Sequence, residues 1–114
     1  MNIIDAVAVL SALGQPTRLD TFKLLVRTGP QGMAASDIAS AIGVPRNTMS
    51  AHLAILGKAG LVEAERVSRQ IYYRPCLPRL ATLTGFLMDG CCGGRTELCE
   101  PLLTQVTTLK PKRK

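Results

Sequence analysis

Apolar residues in this chain recur at helical spacing, punctuated by glycine and proline, and give way only once to strand-like segments. After Asp5, which suits an N-cap, the run Ala6-Val-Ala-Val-Leu-Ser-Ala-Leu13 is apolar on almost every side and stops at Gly14. A helix that greasy needs two neighbours, one of them supplied by a second subunit. Pro16 suits the first turn of a second helix, where Leu19, Phe22, Leu25 and Val26 repeat before Gly29-Pro30 ends it. Ser36–Ile42 predicts a short third helix closed by Gly43, followed at once by a fourth over Pro45–Lys58. A three-residue turn containing glycine between two short helices is the helix-turn-helix pattern. Val62–Arg66 and Gln70–Arg74 then predict two strands across a turn at Val67-Ser68-Arg69. A hairpin directly after such a helix is a wing. Leu77, Leu80, Leu83, Leu87 and Met88 predict a last helix ending at Gly90. The expected fold is mainly α with one small β-hairpin, a winged helix-turn-helix.

On a wheel of about 100° per residue, the fourth helix turns Met49, Leu53 and Leu56 to one side, which must face the core. The opposite arc holds Asn47, Ser50, Ala51, Ala54 and Lys58, with Thr48 at its margin. Small and amide side chains let a helix backbone come near base edges. Asn, Ser and Thr can hydrogen-bond those edges, while Arg46 and Lys58 can take phosphates. The arc suits a DNA major groove; an ordinary solvated face is the bland alternative. His52, the one histidine, falls about 60° from the centre of the core side. It admits three roles: packing or phosphate positioning, direct DNA contact, or metal ligation without a second histidine to share the ion. Arg66 and Arg69 flank the wing tip, within reach of phosphates or an adjoining minor groove, or are plain solvated charges.

Composition narrows the class. With 114 residues and 46% hydrophobic content, one core is affordable and a second is not. No run approaches the roughly 18 apolar residues of a membrane span, and Met1–Leu13 lacks a basic leader and a cleavage site. The expectation is a soluble cytoplasmic protein with no membrane partner. Under reducing conditions its four cysteines are metal-binding or redox-active rather than disulfide-bonded. Lys110, Lys112, Arg113 and Lys114 supply four charges of the net +6, so global charge argues only weakly for a nucleic-acid partner. That proline-broken tail reads as disordered, with nonspecific phosphate contact as its one candidate role.

Cys91, Cys92 and Cys99 fall within Cys-Cys-Gly-Gly-Arg-Thr-Glu-Leu-Cys. Adjacent cysteines on a regular helix point about 100° apart, so convergence calls for a loop, and Gly93-Gly94 supplies its dihedral freedom. Three thiolates on such a loop fit the pyramid of trivalent arsenic or antimony better than the tetrahedron of zinc. Other readings stay open. Cys99 could pair with Cys91 or Cys92 as a redox switch, or Cys76 or Asp89 could complete a zinc, cadmium or lead site. Methylarsenite needs only two thiols. Cys76 otherwise reads as a small packed residue. A thiol enzyme such as an arsenate reductase is disfavoured: the cysteines follow a helix C-terminus, whose partial negative charge opposes thiolate formation, with Arg95 the one nearby cation.

Leu13-Gly-Gln-Pro-Thr-Arg-Leu19, Asp37-Ile-Ala39, Ser50-Ala-His-Leu53, Leu56-Gly-Lys-Ala-Gly-Leu-Val62 and Ile71-Tyr-Tyr-Arg74 together resemble the ArsR/SmtB family of winged-helix metalloregulatory repressors over residues 10 to 99. The resemblance implies a homodimer paired through its first and last helices, which binds an imperfect inverted repeat in double-stranded DNA and leaves it when an inducer binds. It also implies that Asn47, Ser50 and His52 lie on the DNA-facing helix. Many members carry Cys-x-Cys before that helix; here Met33-Ala-Ala-Ser36 takes its place. Zinc-responsive members use Asp and His pairs on the last helix, where this chain offers Asp89 and no histidine. Cys91, Cys92 and Cys99 are similar to the C-terminal site of arsenic-responsive members. Val67-Ser68 lacks the glycine usual at the wing tip. The expected organisation is one domain over 1–104, with the helix-turn-helix at 36–58, the wing at 62–74, a dimerisation helix at 77–89 and the cysteine loop at 90–99. A basic tail follows at 105–114.

Overall fold

Asn2, rather than Asp5, starts the first helix: its side-chain oxygen accepts the Asp5 amide at 2.8 Å, which places Asp5 inside the first turn. That acid complements the positive end of the helix dipole instead of capping it. The computed structural model describes residues 1–89. Helix α1 spans Ile3–Leu13 and α2 spans Pro16–Thr28, with Pro16 in its first turn and Gln15 accepting the Arg18 amide. Then come strand β1 (Met33–Ala34), α3 (Ala35–Ile42), α4 (Arg46–Lys58), β2 (Val62–Val67), β3 (Gln70–Pro75) and α5 (Leu77–Met88). Helix α5 stops at Met88, with Asp89 as its cap, before the glycine expected to end it.

The sheet has a strand that alternation along the chain does not announce. Its order is β1-β3-β2, all antiparallel, with Met33 opposite Tyr73 and Ala34 opposite Tyr72. The hairpin is therefore a three-stranded sheet, and the stretch before α3 serves as its edge. Gly32 makes that edge possible: it is buried, its φ is +77°, and a Cβ there would sit 2.6 Å from the Tyr73 carbonyl oxygen. At the other end Val67 pairs with Gln70, so the turn is two residues, Ser68-Arg69, not three. Ser68 is the one non-glycine among the described residues with positive φ, at 62°, the place a glycine would occupy in a turn with φ above zero at its first position.

The core joins one face of every helix. Ala6, Val9 and Ala12 of α1 meet Phe22 and Leu25 of α2, Ile38 of α3, Met49, Leu53 and Leu56 of α4, and Leu83 of α5. Thr21 is buried among them, its hydroxyl donating to the Thr17 carbonyl at 2.8 Å and facing the Met49 sulfur. Two contacts fasten α5 to the end of α4. Arg79 Nε donates to the Ala59 carbonyl at 3.0 Å, and the Cys76 amide donates to the Leu61 carbonyl at 2.8 Å. The other face of α1 is bare: Ile3, Ile4 and Val7 are 65%, 75% and 57% exposed, and Leu77 and Leu87 of α5 are exposed as well.

Candidate nucleic-acid interface

Two short helices and a left-handed residue between them set the geometry of the interface. Gly43 ends α3 with φ 88° and ψ 33°, and the Gly43 and Val44 amides both return to the Ala39 carbonyl, at 2.8 and 3.1 Å. A Cβ at Gly43 would meet nothing, so the glycine serves backbone conformation rather than space. Pro45 then begins α4 without a side-chain cap. Part of that lack is met next door, where Asn47 Oδ1 accepts the Thr48 amide at 2.9 Å.

Helix α4 sits as the wheel requires. Met49, Leu53 and Leu56 are fully buried, while Arg46, Asn47, Thr48, Ser50, Ala51 and Lys58 are exposed. The bond from Asn47 Oδ1 to its neighbour leaves the two amide hydrogens on Nδ2 to donate outward. The second lone pair of Oδ1 also stays available, so two-point recognition of adenine by Asn47 needs no bond broken.

His52 is half-buried on the side of α2, and its Nδ1 lies 3.4 Å from Arg18 Nη1. A guanidinium can only donate, so Nδ1 accepts and the ring proton sits on Nε2. Arg18 also donates through Nε to the Ala12 carbonyl at 2.7 Å. One side chain thus ties the end of α1 to the middle of α4. Arg18 is not among the sequence candidates; its signals are a charge in the first turn of an otherwise amphipathic helix and its place in the Leu13–Leu19 motif.

The wing completes the surface. Arg66 on β2 and Arg69 at the tip are both exposed. The fold brings Arg69 to α4: a cleft of about 380 Å³ is lined by Arg46 and Ser50 from α4 and by Arg69 and Gln70 from the wing, together with Ser36 and Tyr73. Arg66 does not line it. Nor does Lys58, which stands at the far end of α4, roughly 18 Å along the axis from Arg46, and lines a separate hollow with Ala8, Ser11 and Ile55.

Among the described residues no three His, Cys, Asp or Glu side chains converge as a metal site, and no helix is long and apolar enough to cross a membrane. Cys91, Cys92 and Cys99, with the loop at 90–99 and the tail at 105–114, lie outside the described residues.

Residues 13–65, from the end of α1 into β2, match a family model described as a helix-turn-helix domain. An uncharacterized HTH-type transcriptional regulator from Methanocaldococcus jannaschii is 38% identical over 68 residues, 60% of this chain and 74% of that protein. Among solved structures, the homodimeric winged helix-turn-helix DNA-binding domain of a possible ArsR-family transcriptional regulator from Mycobacterium bovis is 34% identical. It covers 78% of this chain and 82% of its own, with a TM-score of 0.62. A possible transcriptional regulator for arsenical resistance is 30% identical, covering 70% of this chain and 80% of its own, also at a TM-score of 0.62.

Proposed function

Since the chain belongs to the ArsR family of winged helix-turn-helix transcriptional regulators, we propose that it is a homodimeric repressor that leaves its operator when trivalent arsenic or antimony binds Cys91, Cys92 and Cys99. The observation that carries the DNA half is the exposed arc of α4, whose small and polar side chains stand opposite a fully buried Met49, Leu53 and Leu56. Asn47, Thr48, Ser50 and Ala51 face base edges in the major groove. Arg46, Lys58, Arg66 and Arg69 contact the backbone or an adjoining minor groove, and His52, held by Arg18, sets the depth at which α4 sits. Two copies pair through the bare apolar faces of α1 and α5, as the homodimeric Mycobacterium bovis structure supports.

The inducer half rests on donor chemistry. Three cysteines within nine residues, just after the last helix, offer three soft sulfur donors, and a trivalent arsenic centre bonds well to three thiolates. The likeness to a possible regulator for arsenical resistance supports the same reading. Drawing the three thiols together pulls on the C-terminal end of α5. Arg79 and Cys76 anchor the start of that helix to the end of α4 through the Ala59 and Leu61 carbonyls, so a shift of α5 is felt by the recognition helix. Two recognition helices moved out of register with successive grooves lose the operator. Coupling of this kind is typically about 1–3 kcal/mol and reciprocal, so operator DNA weakens arsenite binding by the same factor.

The test is fluorescence anisotropy on DNA from upstream of the chain's own gene, using wild type and Cys91→Ser, Cys92→Ser and Cys99→Ser, with and without arsenite. Wild type releases DNA on arsenite, while the variants bind DNA normally and ignore it. Unchanged release by all three variants would sink the three-thiol site. Release by peroxide alone in arsenite-free buffer would move the cysteines to a thiol-redox sensor of the same fold.

A further inference from the structure

The cleft between α4 and the wing is a different kind of surface from the base-reading arc. Its lining brings Arg46 and Arg69 together with Ser36, Ser50, Gln70 and Tyr73, and includes no acidic residue. Among the described residues the one ion pair is Arg74 with Glu65, so neither arginine of the cleft is paired with an acid there. Two arginines and several hydrogen-bonding residues around one opening suit a phosphate, whose oxygens guanidiniums bind through several N–H donors at once. The position of Ser50 says which phosphate. It belongs to the exposed arc of α4 and also lines the cleft, so a duplex taking α4 into its major groove brings its flanking backbone to this opening.

We propose that this cleft seats a single phosphodiester of the operator backbone, clamped between Arg46 of the recognition helix and Arg69 of the wing. The inference rests on the DNA-binding reading above and deepens it. The clamp ties α4 and the wing to one strand at one point, which fixes the angle at which α4 enters the groove without reading any base. Its contribution is independent of sequence and sensitive to salt.

The experiment replaces backbone phosphates one at a time with uncharged methylphosphonates along one operator half-site and measures affinity for wild type, Arg46→Gln, Arg69→Gln and the double variant. Both side chains are exposed, and matched thermal melts establish that the variants fold. One position is expected at which neutralisation weakens wild type but no longer weakens either single variant. The double variant should lower the slope of log affinity against log salt by about one, as loss of one shared contact requires, rather than by about two. Insensitivity of the two variants at two different positions, or at none, would overturn the clamp. Failure of wild type to bind the duplex at all would instead remove the DNA-binding reading itself.

Discussion

Ser68 shows how a single residue departs from what its position asks for. Its φ of 62° lies where a side chain crowds the following carbonyl, at a cost of about 1–2 kcal/mol for an L residue. Ser68→Gly removes that crowding and gives back part of the gain through the entropy of its unfolded state. A net stabilisation of about 0.5–1 kcal/mol is expected, seen as a melting temperature about 2–4 °C higher; a lower one would mean the serine side chain earns its place by a contact of its own. Gly32 is the opposite case. Gly32→Ala drives a Cβ against the Tyr73 carbonyl oxygen at positive φ and should cost about 3 kcal/mol, read from the midpoint of urea unfolding. An unchanged midpoint would show that β1 is dispensable to the fold. The missing glycine at the wing tip was visible in the sequence. The indispensable one at position 32 was not, because its neighbour is a carbonyl 41 residues further along the chain.

At the scale of elements, helices were legible because their burial follows a local period. The expected core side of α4, Met49, Leu53 and Leu56, is buried, and α2, α3 and α5 lie within a residue or two of where glycine and proline bound them. Strand β1 escaped because two residues carry no period; it exists only by pairing with β3, about 40 residues away. The joint between α4 and α5 escaped for a related reason: it runs through main-chain carbonyls, which no residue type advertises. Arg79→Ala removes both a hydrogen bond and a cation from the C-terminal end of α4. The expected cost is about 1–2 kcal/mol in urea unfolding, together with a smaller change in DNA affinity on adding arsenite than wild type shows. A variant with full stability and a full arsenite response would remove Arg79 from the joint.

For the whole molecule, the exposed apolar face of α1 decides more than the charge does. Ile3, Ile4 and Val7 present a continuous apolar strip, the residue of an almost wholly apolar helix after its inner face has been used by the core. Ile4→Glu places a charge on that strip in both copies of the proposed symmetric dimer. Loss of about 1.5–3 kcal/mol of burial per copy raises the dimer dissociation constant more than about 100-fold. Sedimentation equilibrium should find a folded monomer that binds operator weakly. A variant still dimeric at micromolar concentration would move the interface elsewhere.

Legible along the chain is whatever repeats within it: the helices, the buried side of α4 and the hairpin. Hidden along the chain is whatever depends on two distant segments meeting. Arg18 reaches His52 across 34 residues, β1 finds β3, and Arg46 meets Arg69 across one cleft. Periodicity registers which way a side chain faces, because that follows from backbone geometry within a few residues. It carries no record of which other segment lies opposite, since that is fixed by packing the whole core at once.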